Sequence, residues 1–341
     1  KAKIVLIQQI TYAGQAIIMI LAYTFNILLI FIVRRSANKE IGTYRILITY
    51  FALSDIYYTT VHFVVYPIPE NYGNAFFMRG HGFYRELLGA GLYMGAYGHA
   101  FPILIFHFLY RLLAIKYPEL LRYFKAYLFA LVIATVASNA LWFSIFYWFF
   151  HPDQEILHAL APVYNGSVPL PVVHTFQSAD QHSQALYWTG ETYVGPRWRN
   201  LIGAIIMCLS MLFSYSIIIR CCFLINKYLK DRMKSEKSIQ LHRQLFRSLI
   251  YQSFVPLITA YYPAGTAVLL PIFGLTITFI SIAVPPACGT HPLFDPILLI
   301  LTITEYRQAF FKLVGISRLR RTCKSHSIGE TSASHFTRAS A

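Results

Sequence analysis

Residues Thr11–Val33, TYAGQAIIMILAYTFNILLIFIV, run without a charged side chain, and Arg34 and Arg35 close them. At ~1.5 Å of rise per helical residue, such a run crosses the ~30 Å hydrocarbon core of a bilayer. It is longer than the apolar core of a cleavable leader and ends on two arginines, which predicts an uncleaved signal anchor.

Six further stretches have the same character: Ile46 to Tyr66, Gly89 to Leu109, Ala126 to Phe150, Leu201 to Ile225, Ser248 to Ile272 and Ile277 to Ile303. Only six of the 29 Lys and Arg residues fall in the N-terminus and in the connectors after the second, fourth and sixth stretches. The others gather around the connectors after the first, third and fifth, and in the tail. Cationic flanks stay in the cytoplasm, so this alternation predicts an outside N-terminus and a cytosolic C-terminus. The expected fold is an all-α membrane protein, a seven-transmembrane helix bundle. One seven-transmembrane domain, 1–316, is expected to end in a short amphipathic helix on the inner leaflet, with Tyr306, Phe310, Leu313 and Val314 on one face. The Ser-, Thr- and Arg-rich segment 317–341 is expected to be a disordered cytosolic tail.

The net charge of +15 and pI near 9.6 accompany 56% hydrophobic and only 13% charged residues. That balance fits a membrane chain facing anionic inner-leaflet lipids and argues against a nucleic-acid partner. The long outer connector, His151 to Arg199, carries the sequon Asn165-Gly166-Ser167, so Asn165 is an expected glycosylation site. None of the five cysteines lies in that connector, so no disulfide is expected to tie it to the third span.

An ionisable side chain at membrane depth is costly and needs an explanation. Asn26 lies eight residues before Arg34, Asp55 ten after Arg45, and Asp295 ten before Glu305. All three therefore lie ~12–15 Å above the cytosolic edge, in one layer. The two carboxyl groups there would share a proton, hold a cation, or be solvated by Asn26 and water, unless the cluster only fixes helix packing. The seventh span adds Pro285, Pro286, Pro292 and Pro296, and the sixth Pro256 and Pro263, all expected to bend or unwind their helices. Gly91 and Gly95 are spaced to let a neighbouring helix approach closely. His99, His107 and His291 lack the paired spacing of a metal site and are expected to hydrogen-bond to neighbours. No metal, cofactor or catalytic constellation is expected, and an enzyme is not. In the outer half of the bundle, Tyr93 and Tyr97, and Tyr262 and Thr266, are pairs one turn apart that would line a ligand cavity if they face inward.

The inner end of the third span reads Tyr110-Arg111-Leu112-Leu113-Ala114-Ile115-Lys116-Tyr117-Pro118. This resembles the Arg-x-x-Ala-Ile-x-x-Pro segment of rhodopsin-like G-protein-coupled receptors. More closely, it resembles the nematode seven-transmembrane chemoreceptors of the Str type, the group that includes the diacetyl odour receptor. Leu53-Ser54-Asp55, Tyr193-Val194-Gly195-Pro196, Gln244-Leu245-Phe246, His291-Pro292-Leu293-Phe294-Asp295-Pro296 and Glu305-Tyr306-Arg307 extend the likeness across roughly residues 12 to 314.

The resemblance implies a multi-pass plasma-membrane receptor, in sensory-neuron cilia, that binds a small odorant-like ligand and activates a heterotrimeric G protein. Arg111, Pro118 and the connector Asn226 to Arg247 would form the coupling surface, and Asn26, Asp55, Asp295 and Pro296 the activation network. Tyr110 stands where rhodopsin-like receptors keep an acid, so their ion-pair lock on Arg111 cannot form. Asp295-Pro296 stands where they have Asn-Pro, and no Tyr follows three residues after the proline. The competing reading is an ion-coupled transporter or ion channel using Asp55 and Asp295.

Overall fold

The computed structural model describes residues 2–36, 42–72, 75–80, 82–83, 87–151, 172–174, 198–231, 236–269 and 278–314. Asn165, most of the long outer connector, residues 270–277 and the tail lie outside the described residues. Helices dominate: α1 (Ala2–Arg35), α2 (Tyr44–Val65), α3 (Leu87–Gly98), α4 (Ala100–Lys116), α5 (Phe124–Phe149), α6 (Trp198–Asp231), α7 (Glu236–Pro256), α8 (Tyr262–Leu269), α9 (Thr278–Thr302) and α10 (Thr304–Leu313). A 3-10 turn, Pro118–Tyr123, opens α5, and a π turn, Leu257–Tyr261, joins α7 to α8.

Among the described residues, four helical columns are long and apolar enough to cross a membrane: Gln9–Arg35, Leu87–Lys116, Pro118–Phe149 and Trp198–Lys230. A fifth counts if Ile282–Thr302 is taken together with the helix after it, from which it bends by 101°. The second and sixth expected stretches are helical but less apolar. Arg45, Asp55, His62 and four tyrosines dilute α2, and the π turn divides α7 from α8. The packing is inverted relative to a water-soluble bundle. Phe213, Phe223 and Phe254 point outward and are exposed, while Asp55, His99, Arg111, Gln252 and Asp295 are buried.

In hydrocarbon every backbone carbonyl must find a donor within the protein. A proline in a helix removes the N–H that would serve the carbonyl four residues earlier. Pro102 frees the Gly98 carbonyl, and Ser138 Oγ of α5 donates to it at 3.0 Å. Pro292 frees the Cys288 carbonyl, which accepts from Tyr58 Oη of α2 (3.3 Å) and from His291 Nδ1 (2.9 Å). Pro296 frees the Pro292 carbonyl, and Asn26 Nδ2 of α1 donates to it at 2.9 Å. α9 nevertheless stays helical through all 25 residues, so its four prolines do not unwind it. At Pro292 and Pro296, neighbouring side chains replace the missing donors. A sharp turn follows at Ile303, whose backbone is extended (φ −87°, ψ 113°).

Close approach elsewhere depends on glycine. A Cβ at Gly91 would lie 2.8 Å from the Phe143 ring, at Gly95 2.7 Å from Asn139 Oδ1, and at Gly98 2.2 Å from Trp142 Cγ. The small-residue face of α3 thus packs on α5 along two turns. Above the bundle, β1 (Pro67–Tyr72) and β2 (Ala75–Gly80) form an antiparallel hairpin, with Ile68 opposite Arg79. β3 (Val172–His174), from the long outer connector, pairs with the far edge of β2, Phe77 opposite Val173. Pro67 and Pro69 sit in the edge strand β1, where a missing donor is tolerated. Tyr66, at φ 41°, turns the chain from α2 into this hairpin, and its N–H bonds the His62 carbonyl at 2.7 Å.

Gly98→Ala is expected to destabilise the protein by ~1–3 kcal/mol, because the Trp142 indole must move. Gly14→Ala, where a new Cβ meets nothing within 4 Å, should leave stability unchanged or slightly raised. Thermal unfolding of the two purified variants in detergent checks the contrast.

Candidate functional site

Three connected features run down the bundle axis. The outermost is a cavity of about 230 Å³ under the β-hairpin, between α3, α5, α6, the π turn and α9. Its walls include Tyr93 and Tyr97 of α3, Trp142 of α5, Met207 and Met211 of α6, and Tyr261 of the π turn. Tyr97 meets the Tyr261 ring edge-on at 5.0 Å, and Phe101 stacks beneath Tyr261 at 5.0 Å. Such aromatic walls hold their shape and offer a large apolar contact area with few hydrogen-bonding groups, which suits a small neutral organic molecule.

The structure brings Tyr93 and Tyr97 to this cavity, but not Tyr262 or Thr266. Tyr262 is 70% exposed on the outer side of α8, and the Thr266 hydroxyl donates to its own helix at the Pro263 carbonyl, 2.8 Å away. The cause is the π turn, in which the Tyr262 N–H reaches back five residues to the Leu257 carbonyl. One added residue rotates everything beyond it by ~100° relative to an unbroken α-helix. Tyr261 occupies the inward position, and the two flanking prolines were the available signal.

The cavity floor leads into the second feature. Tyr58 Oη, which donates to the Cys288 carbonyl, lies 3.1 Å from Tyr93 Oη, so Tyr93 donates to Tyr58. The Tyr58 ring packs 4.5 Å from His291. Directly below, Asp55 of α2 and Asp295 of α9, 5% and 2% exposed, line one void of about 10 Å³ with Ser54, His99, Gln252 and His291. That volume admits about one water molecule. Asp55 Oδ2 and Asp295 Oδ1 have no hydrogen-bond partner among the described residues. The predicted layer thus joins the two carboxyl groups, but Asn26 stands beside it. Its amide donates to the Ala22 and Pro292 carbonyls, both at 2.9 Å. Asn26 holds the helix that carries Asp295 rather than solvating the carboxyl groups. Pro296 acts here by exposing the carbonyl that Asn26 takes.

The third feature is the inner end. Arg111, which the resemblance assigns to the coupling surface, is only 2% exposed. Its guanidinium lies over the Tyr44 ring of α2, 3.5 Å from the centroid, and Tyr110 stacks on Tyr44 at 5.2 Å. The Tyr44 hydroxyl hydrogen-bonds to His107 Nδ1 at 3.1 Å, and the Tyr110 hydroxyl to Thr43 Oγ1 at 2.8 Å. A cation–π contact therefore occupies the place of the absent ion pair. Pro118 starts the 3-10 turn just beyond.

On the part of α7 that precedes the expected sixth span, burial and the Arg111 charge push the His242 imidazole down to about 4, so it is neutral near pH 7. Gln244, two residues on, clasps the start of α10: its Nε2 donates to Thr304 Oγ1 (3.0 Å) and its Oε1 accepts from the Thr304 N–H (3.2 Å). The sequence places Gln244 within the expected coupling connector but names no partner for it, since that partner lies 60 residues away.

Tyr44→Leu removes the aromatic face from Arg111, whereas Tyr44→Phe keeps it and removes only the bond to His107. The Leu variant should be less stable than the Phe variant by ~1–2 kcal/mol, read as the gap between their chemical unfolding midpoints in detergent. Equal midpoints would discount the cation–π contact.

A family model described as the serpentine-type 7TM GPCR chemoreceptor Str matches residues 11–311. Serpentine receptor class r-10 of Caenorhabditis briggsae is 26% identical over 317 residues, covering 90% of this chain and 91% of that relative. The Caenorhabditis elegans protein of the same name is 26% identical over 305 residues, covering 86% and 88%. G-protein coupled receptor str-33 of Caenorhabditis elegans is 23% identical over 306 residues, covering 86% and 87%.

Proposed function

The chain belongs to the Str family of serpentine seven-transmembrane chemoreceptors, and on that premise we propose that it is a G-protein-coupled olfactory receptor for a small organic ligand. It is a multi-pass membrane receptor; we assign it to the plasma membrane of sensory-neuron cilia, N-terminus outside. In this reading α1, α2, α3 with α4, α5, α6, α7 with α8, and α9 are the seven spans, and α10 lies on the inner leaflet. The cavity walled by Tyr97, Trp142 and Tyr261 carries the proposal: it is concave, apolar, and joined by hydrogen bonds to the polar layer beneath. The family does not favour the alternative of an ion-coupled transporter or channel.

The mechanism follows from what moves together. A ligand against Tyr97 and Tyr261 presses on the π turn, where the helix has its least regular hydrogen bonding, and on Tyr93. Tyr93 transmits through Tyr58 to the Cys288 carbonyl of α9. Displacing α9 by a fraction of an ångström changes the spacing of Asp55 and Asp295. Their shared proton, cation or water then favours one of two arrangements. At the inner end, α7 leaves once the Gln244–Thr304 clasp opens, and Arg111 comes out from beneath Tyr44 to meet a heterotrimeric G protein. The buried Arg111 corresponds to the resting arrangement.

In cells carrying a promiscuous G protein, a panel of small odorants should yield a ligand response that Arg111→Ala abolishes with surface expression intact. A current or uptake that persists without any G protein would sink the proposal in favour of transport. With a ligand in hand, Tyr97→Ala and Tyr261→Ala should shift the dose response by ~10-fold or more, given the loss of a buried aromatic contact. Tyr262→Ala should leave the response in place. Asp55→Asn should change response amplitude more than ligand affinity, and normal amplitude in that variant would remove the carboxyl layer from the mechanism.

A further inference from the structure

A second cavity opens sideways out of the bundle, independent of the ligand cavity. It is a groove of about 480 Å³ between α2 and α5, floored by His99 at the α3–α4 junction. Leu53 and Val136, both exposed, stand at its mouth. Ser54 and Tyr57 lie near the middle of the 22-residue α2, and Asn139 near the middle of the 26-residue α5. The groove therefore faces the centre of the hydrocarbon, where water does not serve as a partner. An ordinary lipid-facing surface at this depth is aliphatic. This one carries two phenols, Tyr50 and Tyr57, the Asn139 carboxamide and the Ser54 and Thr135 hydroxyls.

The Tyr57–Asn139 pair leaves two groups unused. Asn139 Nδ2 donates to Tyr57 Oη at 3.0 Å, so Tyr57 is an acceptor there and its own proton has no acceptor among the described residues. Asn139 Oδ1 faces the bare Gly95, where a Cβ would lie only 2.7 Å away, and no described donor serves it. Ser54 Oγ is satisfied by His99 Nε2 at 2.6 Å, and His99 Nδ1 by the Ala96 carbonyl. A proton seeking an acceptor and an oxygen seeking a donor thus sit on one hydrogen-bonded pair. No Lys, Arg, Asp or Glu lines the groove, so a charged guest finds no counter-ion. Ser54 and His99 also wall the void that holds Asp55 and Asp295, so the groove backs directly onto the carboxyl layer.

We infer that this groove is a second binding site, entered from the bilayer, for a neutral lipophilic alcohol. Its hydroxyl accepts from Tyr57 and donates to Asn139 Oδ1, and its hydrocarbon body lies over Leu53 and Val136. A hydroxyl is the smallest neutral oxygen group that answers both unused atoms at once. A ketone or an ether meets only the Tyr57 proton, and an alkane meets neither.

The test uses the full-length protein in lipid nanodiscs and needs no G protein. A diazirine-bearing octanol is photolysed in the bilayer and the labelled peptides are read by mass spectrometry. Label should concentrate on residues 50–57 and 135–140. 1-Octanol should displace it at ~3–10-fold lower membrane concentration than octane, as expected for one or two hydrogen bonds. Tyr57→Phe with Asn139→Leu should erase that preference while leaving octane unaffected. Because Asn139 packs on Gly95 and its replacement can disturb folding, Val136→Trp is the second variant. It fills the mouth without touching a hydrogen bond and should remove the label. Equal displacement by octane would reduce the groove to a resting place for acyl chains and overturn the inference. So would label confined to the outer cavity, a preference that survives both polar substitutions, or label that survives Val136→Trp.

Discussion

The constraint on which this structure depends is that a carbonyl freed by proline inside a membrane must be answered by the protein itself. Three such carbonyls, at Gly98, Cys288 and Pro292, are answered by Ser138, Tyr58 and Asn26. Each bond joins two helices, so the prolines that weaken individual helices also specify how the bundle is assembled. A bundle packed only by apolar side chains against apolar lipid has little to fix its register. Donors that reach one particular backbone oxygen fix both rotation and height.

The same arrangement places the points of possible movement. A bond between a side chain and a freed carbonyl can lengthen without unwinding a helix, whereas the regular ladder of an α-helix resists. Tyr58 is the clearest case, because it accepts from Tyr93 at the ligand cavity, donates to Cys288 on α9 and packs on His291. Gln15 of α1 supports the same region from the other side: a Cβ at Gly289 would lie 2.0 Å from its Nε2. The upper half of α9 is thus held by side chains from α1 and α2 rather than by a continuous apolar seam. The lower half, around Leu299, Ile300 and Ile303, packs into the apolar core with Leu29, Ile32 and Leu47.

Periodicity and charge gave the helices, their approximate ends and the shared level of Asp55 and Asp295, because those follow from helix length and a 1.5 Å rise. The glycine pattern of α3 was legible for the same reason, since its consequence is local. Facing direction was not. Whether Tyr261 or Tyr262 looks inward depends on a π turn whose extra residue leaves no mark on composition. Asn26 stands near the carboxyl layer but takes the Pro292 carbonyl as its partner. An amide has as much affinity for a backbone oxygen as for a carboxyl group, and only the fold says which is nearer. The β-hairpin over the cavity was missed because Pro67, Pro69 and the turn after Tyr72 look like an ordinary polar connector. Its strands gain meaning only when β3 joins them from about 100 residues away.

Arg111 shows how a departure from a familiar motif is absorbed. With Tyr110 beside it in place of an acid, its charge needs another host at the inner rim, and a carboxylate brought in from elsewhere would itself need desolvation. The Tyr44 ring accepts the cation with no second ion to strip of water, and its hydroxyl is anchored by His107. Such a contact is weaker than a well-made buried ion pair. It is also indifferent to protonation of the host, because a ring quadrupole does not titrate as a carboxylate does. Neutral His242 stands on the facing helix, so its side chain adds no positive charge beside Arg111. The result is a closed inner face held by a neutral clasp at Gln244 and a cation under an aromatic lid. Each is weak enough to yield to a ligand-sized change in free energy, whereas a desolvated Arg–carboxylate pair would resist it.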